Sequence, residues 1–123
     1  MPSITLGQLT TVYDSFGQGP RTIVMAQGLG LGRDAWGLFG ELLARQHRVV
    51  TFDARGAGEA RDAGEPFGTM DMARDVIALC RALGAERPVL LGFSLGGCVA
   101  QHLAALAPDL LSGLVLLSSV ARP

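Results

Sequence analysis

The run Val89-Leu90-Leu91-Gly92-Phe93-Ser94-Leu95-Gly96-Gly97 decides how this chain folds. Val89 to Phe93 is an uninterrupted apolar stretch led in by Pro88, the pattern of a strand buried on both faces. From Leu95 to about Ala107 the residues suit a helix, which Pro108 ends. Ser94 therefore stands where a strand turns sharply into a helix. G-x-S-x-G alone is a weak signal in a chain with 17 glycines. A strand running in and a helix running out make it specific. So sharp a turn forces the serine into a strained backbone conformation, and side chains two positions before or after it would collide. Gly92 and Gly96 meet that demand. The hydroxyl then projects above the sheet, and the Leu95 N–H lies at a helix N-terminus, where negative charge is favoured.

Outward from this junction, the same strand-then-helix rhythm recurs. Ile4–Leu6 and Thr10–Tyr13 suit a small N-terminal hairpin, and Asp14–Pro20 reads as a turn cluster. Thr22–Ala26 is a second continuous apolar strand, followed at once by Gly28-Leu29-Gly30-Leu31-Gly32. Asp34 is placed to cap a helix with Trp36, Phe39 and Leu43 on one face. Val49, Val50 and Phe52 make another strand, ended by Asp53-Ala54-Arg55-Gly56-Ala57-Gly58. Thr69 is expected to cap a helix whose face is Met72, Val76, Leu79 and Leu83, with Gly84 stopping it. Leu114–Leu117 is a further strand. This order predicts an α/β fold: a mainly parallel sheet with helices on both faces, joined by right-handed crossovers.

Composition narrows the chemistry. All ten basic residues are arginine, so a P-loop lysine and a Schiff-base amine are both excluded. Net charge is −1 with no run of one sign, which argues against a nucleic-acid surface. No apolar stretch approaches the ~20 residues of a membrane span, and no signal peptide opens the chain. Cys80 and Cys98 have no metal spacing and are expected to be reduced, small buried fillers in a cytoplasmic chain. The glycines at 28, 30 and 32 invite a dinucleotide reading, but Arg33 occupies the position where G-x-G-x-x-G needs its last glycine. No metal or organic cofactor is implied.

A second group belongs with Ser94. Gln27-Gly28-Leu29-Gly30 follows a buried strand and can aim the Leu29 N–H at the same spot as that of Leu95. Two such donors above a serine hydroxyl would make an oxyanion hole for a tetrahedral intermediate. Taken together, Gln27-Gly28-Leu29-Gly30, Trp36, Asp53-Ala54-Arg55-Gly56-Ala57-Gly58, the helix from Thr69 and Gly92-Phe93-Ser94-Leu95-Gly96-Gly97 resemble the α/β-hydrolase fold family. The likeness runs from about residue 3 to the end. It is strongest to the 3-oxoadipate enol-lactonase and small carboxylic-ester hydrolase group, through Leu91–Gln101 and Gly113–Ser119. It implies Ser94 as nucleophile, the amides of Leu29 and Leu95 as oxyanion donors, and Phe93 and Trp36 beside a small ester or lactone. Two positions depart from the family pattern. Gln27 stands where many relatives have histidine, and Ala57 replaces the histidine of the arginine–glycine loop.

A serine hydroxyl needs a histidine to take its proton and a carboxylate to orient that histidine, in this fold in the order Ser, Asp or Glu, His. After Ser94 come only His102 and Asp109, in the reverse order. His102 lies eight residues down the helix, about 12 Å from its start. His47 precedes its strand and so lies at the far end of the sheet. Ser118–Pro123, where relatives can carry the acid, holds no carboxylate. The expectation is one apparently truncated domain over residues 1–123, the N-terminal portion of a hydrolase without lid, acid or base, inactive or very weak alone. Either a complementing C-terminal half or a second copy would then cover the exposed edge at Leu114–Leu117. Two other readings stay open: a non-catalytic association module pairing through that edge, and an inert fragment.

Overall fold

The computed structural model describes residues 2–120. Six strands form one sheet: β1 (Ser3–Leu6), β2 (Leu9–Phe16), β3 (Thr22–Ala26), β4 (Arg48–Phe52), β5 (Val89–Phe93) and β6 (Gly113–Leu117). Their spatial order is β1-β2-β4-β3-β5-β6. β1 and β2 form the antiparallel hairpin, β2 runs antiparallel to β4, and β4, β3, β5 and β6 are mutually parallel. The helices are α1 (Gly37–Leu43), α2 (Thr69–Ala82) and α3 (Leu95–Leu106).

Strand residues alternate between two cores, and this is why their sequences are continuously apolar. Val24, Ala26, Val50, Phe52 and Leu90 face α2 and α3, packing on Val76, Leu79, Val99 and Leu103. Ile23, Met25, Val49 and Leu91 face the opposite side, against Phe16, Trp36 and Leu43. Helices thus cover both faces, as expected. Burying Val24, Met25, Val49, Val50 and Leu90, each 0–1% exposed, contributes about 1.5–3 kcal/mol per side chain. Gly84, with φ +63, ends α2: its N–H bonds to the Arg81 carbonyl and that of Ala85 to Cys80 at 2.9 Å. Cys80 and Cys98 are both free and buried.

Three local expectations are corrected. β2 runs through Asp14–Phe16 rather than turning there, because Asp14, Ser15 and Phe16 pair with Thr51, Val50 and Val49. Asp34 caps nothing; it lies within a short 3-10 turn, Arg33–Trp36, that precedes α1. Thr69 is the first helical residue, and Gly68 is the cap, its N–H donating to Asp71 Oδ2 at 2.8 Å.

Candidate active site

The parallel strands all point their C-terminal ends to one edge, and Ser94 sits there, directly after Phe93, the last residue of β5. Its φ and ψ are 55° and −116°, in the region L side chains rarely adopt. The neighbouring glycines explain how the chain tolerates this. A Cβ on Gly92 would strike the Gly96 carbonyl and come within 2.7 Å of Gly97 Cα. One on Gly96 would strike the Ala26 carbonyl oxygen and lie 2.8 Å from that of Gln27. The start of α3 is thus pressed against the end of β3. Ser94 N–H donates to Leu117 O at 3.0 Å, which fixes the junction to β6, and the serine itself is exposed. Leu95 opens α3, where no preceding turn supplies an acceptor for its N–H.

After β3 the chain turns over Gly28–Leu31, with Leu31 N–H donating to Gly28 O at 3.2 Å. Gly30 has φ +73, the requirement of the third position of a type II turn. Leu29 is at the crown with its side chain 81% exposed. A Cβ on Gly28 would meet the Phe93 ring at 3.4 Å, so this turn abuts the residue before Ser94. Phe93 and Trp36, with Gln27, Leu31, Ala35 and Phe39, line one apolar cleft of about 270 Å³. Trp36 also packs under the sheet and donates to Gln27 Oε1 at 3.4 Å, so it serves both packing and lining. A larger hollow of about 460 Å³ lies between β2 and α1, lined by Asp14, Asp34 and Glu41, and includes neither Ser94 nor its neighbours.

Gln27 is held by two hydrogen bonds: its Nε2 donates to Phe52 O at 2.7 Å and to Leu31 O at 3.2 Å. The loop that carries Ala57 is held without a histidine, by Ala57 N–H to Ala54 O at 2.9 Å and Glu59 N–H to Asp53 Oδ2 at 2.8 Å. Asp53 and Arg55 brace the loops. Arg55 makes a two-point pair with Asp75 of α2, both contacts at 2.9 Å, and this bonding raises its pKa against the effect of burial. Arg33 was not legible as part of this bracing. Burial alone would lower its pKa, but Asp53, Asp14 and Glu59 outweigh that and hold it above its ordinary value.

The histidines and Asp109 stand away from Ser94. His47 precedes β4, at the N-terminal edge of the sheet, about 16 Å away by strand length alone. His102 is two helical turns into α3, and Asp109 precedes β6, again at the N-terminal edge. Among the described residues no group of His, Cys, Asp and Glu could hold a metal ion. Of Ser118–Pro123, residues 121–123 lie outside the described residues. No described helix is long and apolar enough to cross a membrane.

A mainly parallel sheet with a serine on a strained strand-to-helix turn defines a class of α/β fold, one whose ligand sites lie at the C-terminal edge of the sheet. The family described as alpha/beta hydrolase fold matches residues 21–123, and the chain belongs to it. Among curated relatives, the Azorhizobium caulinodans protein RutD, provisionally named a carbamate hydrolase, is 32% identical, over 99% of this chain and 46% of its own length. Among solved structures, a thermophilic esterase from Thermogutta terrifontis superposes with TM-score 0.92 at 29% identity, covering 100% of this chain and 47% of the esterase. The enol-lactonase from Burkholderia xenovorans LB400 gives 0.93 at 26% identity, covering 98% of this chain and 48% of the lactonase. The chain spans about half the length of the relatives it matches.

Proposed function

We propose that this chain supplies the nucleophile and oxyanion hole of a serine hydrolase acting on a small carboxylic ester or lactone. Ser94 Oγ attacks the carbonyl carbon, and the oxygen that becomes negative is received by the Leu29 and Leu95 amides. Loss of one such donor costs about 2.7–4 kcal/mol of transition-state stabilisation. The acyl side of the substrate lies in the cleft between Phe93 and Trp36. The observation that carries this reading is the backbone of Ser94, a non-glycine residue at φ 55° held between Gly92 and Gly96. Strain of that kind costs of order 1–3 kcal/mol and is retained where it aims a reactive group.

The general base and its carboxylate come from residues beyond these 123, since His47 and His102 both stand far from the hydroxyl. The chain is accordingly one part of a larger hydrolase domain, and it works in the cytoplasm without a cofactor. A fluorophosphonate probe tests the dependence. The chain alone is expected to label slowly, and rapid labelling at neutral pH would contradict the need for an outside base. A second reading, association through β6, is favoured by one observation: Leu114 to Leu117 are 38–41% exposed at the sheet edge.

A further inference from the structure

The turn that carries Leu29 has little packing of its own: Leu29, Gly30 and Leu31 are all exposed. An amide that must meet a developing charge has to be held to within about 0.5 Å, which an exposed turn does not achieve unaided. Its position comes from its two ends, and both are tied to the C-terminal end of β4. At the leading end, Gln27 Nε2 bonds the Phe52 carbonyl at 2.7 Å and closes back on Leu31 O at 3.2 Å. At the trailing end, the Arg33 N–H donates to Asp53 Oδ1 and its guanidinium to Asp53 Oδ2, each at 2.7 Å.

One residue therefore grips both oxygens of a single carboxylate, through its backbone and its side chain together. The Asp53 side chain is 2% exposed and also accepts the Glu59 N–H at 2.8 Å. A Cβ on Gly32 would lie 3.3 Å from Asp53 Oδ1, so the chain between turn and anchor rests directly on the acid. Arg33 further reaches Asp14 at 3.1 Å and Glu59 at 3.3 Å, and is itself largely buried. Removing either charge strands the other in a site with little water.

We infer that the Arg33–Asp53 pair is a positioning device for the Leu29 amide: it sets where the turn after β3 presents that donor to the charge formed at Ser94. This rests on the proposed role of Leu29, and the test separates the two. The Arg55–Asp75 pair is the matched control, since it is similarly shielded but ties the β4 loop to α2 and makes no bond to residues 27–33.

The experiment uses the whole chain, as wild type, Asp53→Asn, Arg33→Lys and Arg55→Lys. Amide NMR follows the Leu29 resonance and hydrogen exchange at Leu31, whose N–H closes the turn. Slow fluorophosphonate labelling of Ser94 is timed in parallel. Asp53→Asn sets an amide N–H₂ where the guanidinium needs an acceptor. It is expected to shift the Leu29 resonance, speed Leu31 exchange roughly tenfold and slow labelling on the order of 100-fold. Arg33→Lys keeps the charge without the fixed fork, so it should move the same three readings in the same direction and by less. It carries the test if Asp53→Asn does not fold. Arg55→Lys should lower the melting temperature and leave Leu29, Leu31 and the labelling rate in place. The inference is overturned if Leu29 and Leu31 are unmoved in the first two variants, or if Arg55→Lys moves them equally. It is also overturned if they move while labelling does not slow. Absence of any Ser94 labelling in the wild type counts against the nucleophile, and the Leu29 and Leu31 readings then decide the positioning alone.

Discussion

Replacing Gly96 by alanine sets two effects of opposite sign against each other. Gly96 lies in the first turn of α3 with no positive φ, and an alanine at a helix position is ordinarily worth about 1 kcal/mol over glycine. Here the new methyl group would meet the carbonyl groups of Ala26 and Gln27, with the Ala26 carbonyl carbon at 2.5 Å and the Gln27 oxygen at 2.8 Å. Ordinary contact begins near 3.4 Å and the Ala26 oxygen is nearer than its carbon, so α3 and β3 must separate by more than 1 Å. The obstacle is backbone on both sides, and no side chain can swing away. Overpacking of this sort costs typically 1–3 kcal/mol and more where backbone must move. Net of the helix preference, Gly96→Ala should destabilise by about 2 kcal/mol, a fall in melting temperature of roughly 8 °C for a chain this size.

Gly40 supplies the comparison. It is also helical, in α1, and a Cβ there would meet only Phe16 and Trp36 carbon atoms at 3.6 Å. Gly40→Ala should therefore stabilise by about 0.4–1 kcal/mol. Thermal and urea unfolding of the two variants beside the wild type measure both signs. A Gly96→Ala protein as stable as Gly40→Ala would refute the tight junction of α3 on β3.

Other consequences follow from the same geometry. Ser94→Gly relieves the strain at φ 55° and should raise stability by about 1 kcal/mol in urea titration, even as it removes the hydroxyl; a fall would mean that the backbone is not strained there. Burial pushes the Cys80 thiol up to about 11, so the native protein should resist alkylation at pH 8 at this position and react after unfolding. Because the raised value belongs to the folded state, the stability from this neutral thiol is whole below about pH 9, where the unfolded thiol titrates. It is then lost as the pH rises to 11, by about 2–3 kcal/mol, and a stability profile flat over that range would contradict the burial. Light scattering should find the chain associating at high concentration through β6, and Leu116→Lys should reduce this; a monodisperse monomer would exclude the edge as a contact.

The strands and the strained turn at Ser94 are legible because each rests on local residue types. Continuous apolar runs such as Ile23–Ala26 and Val49–Phe52 have one reading when glycine loops end them, and Gly92-x-Ser94-x-Gly96 fits a tight turn from a strand into a helix. What escaped local reading depends on partners distant in the chain. Asp14–Phe16 looks like a turn until β4 pairs with it. Asp34 has the chemistry of a cap, yet the Arg33 amide is taken by Asp53, twenty residues on, and the chain enters α1 through a 3-10 turn instead. From the sequence, Arg33 reads only as the residue that breaks a G-x-G-x-x-G motif. Its bonds to β2, to the end of β4 and to Glu59 depend on strand order, and no spacing in the sequence encodes them.

The central claim is that one hydroxyl, that of Ser94, is the nucleophile and waits for a base supplied from outside these residues. Peptide mapping by mass spectrometry after prolonged exposure to a fluorophosphonate addresses it directly. The account predicts a single adduct, slow to form, on the peptide containing Ser94, and none in Ser94→Ala. Adducts that persist in Ser94→Ala, or that form on another residue at the same rate, would contradict it.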